Sequence, residues 1–572
     1  MPQGLLIFCW ILIGAILRFS NLTVKPPWTD EFATMVFSLG NQFQSVPLNQ
    51  IISPELLLSP LLINSEATLN GVGALILSQD NHPPLYFMLA HLWIQLFPQS
   101  SNYLSLWVAR SLPALFGVLS IPLFYWMGRS IFSSRLAGQI TAALAAVCPY
   151  AVFLAQESRH YTFVLLFVIV SVGCFVLATQ AAIQGKKISW KIVFGWILAN
   201  GLGLSAHYFF VITLLIEALT LTIFLLSSAK AKIENFHLNC WRFAVTALGT
   251  ISTSAVWLAV IIPQGYGNQM TGWIGNVYFD ILTILGPIFQ FLAAWISILA
   301  LLPVEAESWW IILPSGALML GYFIWVMPIL WRGWRQNWQQ PKLAIGTKVL
   351  WGGMASAVTI YLVTAYIGQV DITRGARYHF AYFPILLVLI ASSLIPCWEK
   401  GDKQDKTQLS EQTTLMSKIL FFFRRDRRSA VIVIWLMGLI SSITVVSNLG
   451  YQKYYRAEIL FPIIEQHSTH PVLIATTHES LVQTGEMMSI AWEINQQSAQ
   501  KDVNFLLLDK LTQNPDQINQ KLSNALTAIP TDVDLWTINF NTPIGLEQCQ
   551  VDSSKFPYVD GYRYNHYLCS TS

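Results

Sequence analysis

The chain has 572 residues, of which 54% are hydrophobic and only 11% charged, with a mean hydropathy of +0.51. Soluble domains carry about 25% charged residues, so the composition excludes a soluble globular protein. The net charge of +3 excludes little, because the cations gather in particular loops, while the 22 Trp and 20 Tyr, many at the ends of apolar runs, fit an interfacial aromatic belt.

A bilayer core takes about 20 apolar helical residues to cross. Runs of that kind lie near 4–20, 104–127, 136–154, 160–180, 190–206, 208–227, 241–262, 311–331, 348–367, 378–396 and 430–448. The expectation is a mainly α, polytopic membrane helix bundle of about 11 spans. Residues 1–20 lack a cationic start and a small-x-small cleavage site, so they read as the first helix and not as a cleavable signal.

The loops alternate in charge. Arg129 and Arg135, then Lys186, Lys187 and Lys191, then Lys230 and Lys232 fall in one set. Arg332, Arg335, Lys342 and Lys348 follow, and the set closes with Arg424, Arg425, Arg427 and Arg428. The positive-inside rule makes these loops cytoplasmic and the N-terminus cytoplasmic with them. Two more apolar runs, Pro83–Phe97 and Ile281–Leu302, would invert the pattern if either crossed alone. They are expected to lie along the outer face as juxtamembrane helices.

The expected division is a membrane domain over 1–449 and an external domain over 450–572. The membrane domain includes a first external loop at 21–103 and a charged cytoplasmic loop at 397–429. In the tail, 471–477, 503–509 and 534–540 read as short buried strands, with polar helices near 479–498 and 513–527. That alternation predicts a small α/β domain. Cys9, Cys148, Cys174, Cys240 and Cys397 read as packing or surface residues. Cys549 and Cys569 both fall in the tail and are expected to form a disulfide, which an external compartment permits.

This topology gathers polar residues on the outer side. Asp30 and Glu31 follow the first span among aromatics, in Trp28-Thr29-Asp30-Glu31-Phe32. Asn81-His82-Pro83-Pro84-Leu85-Tyr86 closes the first loop, and Gln156-Glu157-Ser158-Arg159-His160-Tyr161 joins two spans. His207-Tyr208 joins two more, and Arg374 and Arg377-Tyr378-His379 precede the tenth. Taken singly, an Arg or His at a span end snorkels to the interface, and a Pro-Pro pair starts a helix. Taken together, carboxylates can act as general base toward a hydroxyl. Arginines can grip a phosphate with bidentate geometry, and long apolar helices can wall a lipid tail. Glu217, inside the sixth span, is a functional candidate by its position or a hydrogen-bonded helix-packing residue, and stays off the catalytic set.

Asp30-Glu31, His82-Pro83-Pro84-Leu85-Tyr86, Arg110-Ser-Leu-Pro-Ala-Leu-Phe-Gly117 and Gln156 to Tyr161, in that order and spacing, resemble the GT-C glycosyltransferases. Within them the nearest resemblance is to the family 39 group, which includes protein O-mannosyltransferases and lipid A aminoarabinose transferases. It covers roughly residues 1–400 and leaves the tail out. The resemblance implies inverting transfer from a polyprenyl-phosphate sugar to a hydroxyl of a lipid, glycan or protein, on the external face of a bacterial inner membrane. By position, Asp30 resembles the catalytic base and Glu31 an assistant or sugar ligand. His82, Arg159, Arg377, Arg374 and Tyr378 take donor or phosphate roles. Glu157, His160 and His207 take acceptor or orienting roles. Asn81-His82 stands where the lipid A enzymes carry an acid–lysine pair, which argues against an aminoarabinose donor.

No Cys/His spacing reads as a zinc site. The outer acids are compatible with a divalent metal, though no ligand spacing supports one. No nucleic-acid partner is expected, since topology accounts for the basic runs. Two other classes stand beside the transferase. A surface-polysaccharide polymerase or ligase is disfavoured by the charge-poor 263–310 loop, whose ionisable residues are Asp280, Glu305 and Glu307. A transporter or receptor is disfavoured by the lack of internal repeats.

Overall fold

The structure is a computed structural model of the chain and describes residues 2–80, 82–98, 102–229, 236–258, 281–408, 428–497 and 502–570. Asn81, Lys230, Lys232, Asp280, Arg424, Arg425 and Arg427, and the 263–280 part of the expected external loop, lie outside the described residues.

Each of the eleven apolar stretches falls on helix: Gln3–Phe19, Leu106–Phe132, Arg135–Ala146 with Pro149–Ala155, Tyr161–Ile183, Trp190–Ala206, Phe210–Ala229, Phe236–Leu258, Trp309–Gln339, Pro341–Tyr366, Phe383–Gln408 and Arg428–Val446. Among the described residues, five are long and apolar enough to cross a membrane, or six if the bent pair is one span. The chain is therefore a multi-pass membrane protein. Length and composition support fewer crossings than the eleven expected, because several of these helices, Gln3–Phe19 among them, are shorter apolar ones.

The described residues fall into two compact units. One takes residues up to Leu22 and most of Arg110–Tyr451; the other takes Thr23–Ala109 and Gln452–Ser572. Residues 23–109, expected with the helices, thus pack with the tail.

Two features of the helical unit depart from simple spans. The stretch 136–154 is broken, its halves bent by 57°. Pro149 at the first position of the second half cannot continue a helix, and it holds Cys148 in extended conformation. The carbonyls left open by the break need donors, since lipid offers none. Arg18, fully buried, supplies them: Nη2 donates to Ala145 O at 2.9 Å and Nη1 to Ala146 O at 3.0 Å. Gly117 makes room for that side chain, as a Cβ there would meet Arg18 Cδ and Nε at 2.9 Å. The tenth stretch, expected from 378, becomes α-helix only at Phe383; Ala376–Ala381 is 3-10 helix. Pro384 suits a helix start, so Arg377 and Tyr378 sit in the approach to the helix.

Glu217 is buried inside the helical unit. It accepts from Ser171 Oγ at 2.7 Å and from Trp196 Nε1 at 2.9 Å. Ser171 also reaches Asn200 Oδ1 at 2.6 Å, and Asn200 donates to Thr250 at 2.9 Å. The network ties four successive helices by side-chain hydrogen bonds, which is how polar groups persist in a membrane interior.

The second unit is built on a six-stranded sheet. In chain order the strands are β1 (Ile51–Ile52), β2 (Val472–His478), β3 (Val503–Asp509), β4 (Val533–Ile538), β5 (Cys549–Val551) and β6 (Tyr564–Cys569), and their spatial order is β1-β3-β2-β4-β6-β5. The β3-β2-β4 core is parallel, and the remaining pairs are antiparallel. Strand alternation sends Leu473, Ala475, Leu506, Leu508 and Leu535 to one face, against Ile518, Leu522 and Leu526 of the Pro515–Thr527 helix. Ile474, Phe505, Leu507, Trp536 and Ile538 face the other way, against the Leu481–Gln497 helix and residues of the 32–109 segment. The expected strands β2, β3 and β4 are present within a residue or two. The sequence reading missed the Ala457–His467 helix and strands β1, β5 and β6. At β5–β6, Cys549 faces Cys569 in the ladder and the two are disulfide-bonded.

Candidate functional site

In the sheet-bearing unit, the carboxylate pair opens the Thr29–Ser38 helix. Trp28, extended, is its N-cap residue, and Asp30 and Glu31 occupy the first turn. Open N–H groups and the helix dipole favour negative charge there. Asp30 is half-buried, while Glu31 is fully buried. Lys453 Nζ lies 3.7 Å from Glu31 Oε2, with both side chains almost fully out of solvent. The same ammonium lies 5.4 Å from the centroid of the Trp28 ring. Removing one partner of a buried pair costs about 3–5 kcal/mol, so this ion pair fixes the turn.

His82 is buried and joined at Nδ1 to Asp80 Oδ1 at 2.8 Å. The carboxylate sets the ring's orientation. Three residues later the Leu85–Gln95 helix begins, and Phe87 packs 6.2 Å from the His82 ring. Lys453 and Asp80 are site residues that the sequence reading missed. Asp80 had a local signal, a carboxylate two positions before a His-Pro-Pro. Lys453 had none, because its partner lies at the far end of the chain.

The helical unit brings together another part of the expected set. Glu157, Arg159 and His160 are all buried in the bend before the Tyr161–Ile183 helix, where Arg159 N–H donates to Glu157 O at 2.7 Å. Arg159 lies 5.8 Å from the Tyr161 ring centroid. His207 caps the Trp190–Ala206 helix in extended conformation, with its ring 4.3 Å from His160 and 5.6 Å from Tyr161. Phe209, stacked on His207, meets Tyr378 at 4.6 Å, and Arg377 lies 5.3 Å from the Tyr378 ring.

The 3-10 stretch carrying Arg377 is held by its backbone. Tyr150 Oη donates to Arg377 O at 3.1 Å, and Tyr361 Oη donates to Tyr378 O at 2.7 Å. Arg159, His160, His207, Arg377 and Tyr378 therefore belong to one continuous set of ring contacts. Arg374, three residues before Arg377, is exposed and paired with Asp371 at 3.3 Å. Chemically this assembly offers two guanidinium groups on aromatic faces, two imidazoles and the Glu157 carboxylate. That is a largely buried, donor-rich cluster whose guanidinium groups suit an anionic ligand.

No protein-family model matches the chain, and no curated protein matches it in sequence. Among solved structures it is similar to ArnT from Cupriavidus metallidurans in the apo state, at 11% identity and a TM-score of 0.49, covering 93% of this chain and 92% of that one. It is similar to the same protein bound to undecaprenyl phosphate, at 11% identity and 0.47, covering 99% and 98%. It is also similar to the apo oligosaccharyltransferase of Archaeoglobus fulgidus, at 12% and 0.46, covering 94% and 69%. Likenesses at this level carry no inference about activity.

Proposed function

We propose that this chain is a membrane glycosyltransferase that moves a sugar from a polyprenyl-phosphate donor to an acceptor hydroxyl on the external face, with inversion. The observation that carries the reading is the Asp30–Glu31 turn: a half-buried carboxylate beside a fully buried, ion-paired one, both at a helix N-terminus.

In the proposed reaction Asp30 takes the proton of the acceptor hydroxyl as that oxygen attacks the anomeric carbon. The bond from that carbon to the phosphate oxygen breaks, and its electron pair leaves with polyprenyl phosphate. The leaving group is weakly basic, so no strong general acid is needed. Arg159 and Arg377 would stabilise the phosphate charge, with Tyr378 against Arg377 and Arg374 nearby in sequence. Glu157, His160 and His207 would orient Arg159 or hold the acceptor, and His82, oriented by Asp80, would meet the donor head group. The long apolar helices suit an isoprenoid tail. The acceptor would be a lipid, glycan or protein, with the enzyme in a bacterial inner membrane and its N-terminus cytoplasmic.

The test is to incubate purified protein with a panel of polyprenyl-phosphate sugars and acceptors and measure free polyprenyl phosphate. General-base catalysis contributes about 10²–10⁴-fold. Asp30→Asn should lose turnover by that factor while still inserting and binding donor. Near-normal turnover of Asp30→Asn with a donor the wild type uses would falsify the mechanism.

A further inference from the structure

We infer that the tail holds the catalytic turn in place, with Lys453 and Gly485 as positioning residues for Asp30 and Glu31, an inference that rests on the proposed role of Asp30. Three tail residues on one helix face carry it. Gly485 lies inside the Leu481–Gln497 helix, where glycine is disfavoured relative to alanine. Its reason is close approach: a Cβ there would meet Thr29 Cγ2 at 2.7 Å and Thr29 Cα at 3.2 Å. One turn on, Ser489 Oγ donates to Gly485 O at 3.1 Å and comes within 3.5 Å of Pro27 O. The next residue on that face, Trp492, meets Phe32 edge to face at 6.3 Å. Pro27, Thr29 and Phe32 bracket Asp30 and Glu31, so this helix face is moulded to the turn from both sides.

Lys453 supplies the charge. It is buried, faces Glu31 at 3.7 Å and covers the Trp28 ring. Packing from the helix fixes where the turn lies, and the ammonium fixes which way Glu31 points. Asp30, the next residue back, inherits both constraints. General-base geometry tolerates little error, since a misplacement of about 1 Å can cost about 10²-fold. The tail therefore acts on the rate constant of the chemical step more than on donor binding.

The experiment compares Lys453→Met, Lys453→Arg and Gly485→Ala with wild type in the full-length protein, reading kcat and donor KM separately, with melting temperature as a folding control. Lys453→Met and Gly485→Ala should each lower kcat by at least tenfold with donor KM within about threefold. Lys453→Arg, which keeps the charge, should recover kcat to within about threefold of wild type. Should Lys453→Met fail to fold, Lys453→Arg and Gly485→Ala still decide. Loss confined to donor KM, or normal kcat in Gly485→Ala, overturns the inference. Asp30→Asn runs alongside. If it is inactive while the tail variants turn over normally, only the positioning inference fails; if it is active, the mechanism beneath it fails.

Discussion

His566 lies flat on Trp536, ring centroids 4.4 Å apart and planes 15° apart, and its two nitrogens reach two carboxylates: Nε2 to Asp534 at 2.8 Å and Nδ1 to Asp552 at 2.9 Å. Burial pulls the imidazole pKa down, but the two carboxylates outweigh it and raise it above 6.5. Hydrogen bonds from Ser554 and His566 lower Asp552 to about 2. Burial pushes Asp534 up, yet His566 and the His470 and Thr469 amides leave it lowered.

These shifts give a stability window for the tail. A raised His contributes stability that is present below its unfolded value of 6.5 and lost as pH rises through the folded value. The lowered acids contribute stability present above 3.8 and lost as pH falls through their folded values. The tail should be most stable between those limits. Melting temperature followed from pH 5 to pH 9 should fall more steeply in wild type than in His566→Gln. Parallel curves would remove the imidazolium from the account.

Arg159 and Arg377 are proposed to hold the donor phosphate through planar, bidentate groups that lysine lacks. Arg159→Lys and Arg377→Lys should each weaken binding of polyprenyl phosphate by about tenfold, roughly 1.4 kcal/mol, without changing the fold. Direct titration with polyprenyl phosphate checks this, and unchanged affinity in both variants would reassign the pair to packing.

Arg18 closes the open end of the broken helix. Arg18→Met removes donors to Ala145 and Ala146. Hydrogen bonds from a charged donor contribute about 1.5–3 kcal/mol each. Thermal denaturation in detergent should show a loss of at least about 2 kcal/mol, and Gly117→Leu, which crowds the same side chain, should reproduce it.

Glu217 has the look of a membrane-buried functional acid, but its contacts predict a helix tie. Glu217→Gln can keep its oxygen on Trp196 Nε1 and turn its NH2 to Ser171 Oγ, which still donates to Asn200, and should stay near wild type in activity and stability. Glu217→Leu takes the acceptor from Trp196 Nε1, at about 1–3 kcal/mol, while Ser171 keeps Asn200. Abolished transfer in Glu217→Gln, with normal stability, would place the residue in the catalytic set.

The helices were legible because a membrane demands long apolar runs and forgives little else. The third run reads as a continuous span although Pro149 offered a local signal of its break, and Arg18's role did not show, since capping a distant helix leaves no periodic trace. Strands β2, β3 and β4 announced themselves as apolar runs bounded by polar helices. Strand β1 has two residues in a loop, too short for any alternation. The bend at 156–161 and the segment at 377–378 were legible as polar breaks between spans. The Glu31–Lys453 pair was not, because nothing local in a sequence says which lysine will cross the whole chain to meet a buried acid.

Ile51 pairs with Leu506, and Ile52 with Phe505. The segment around Ile51 is synthesised early, yet its sheet neighbour follows the apolar helices described above, up to Arg428–Val446. Between those moments the apolar side chains of residues 32–109 have no sheet to cover them. Closure of that sheet thus waits on residues 472–569, which carry the other five strands. Translation that stops short should leave an inserted but unfinished protein, sticky on its early loop and prone to capture by quality control.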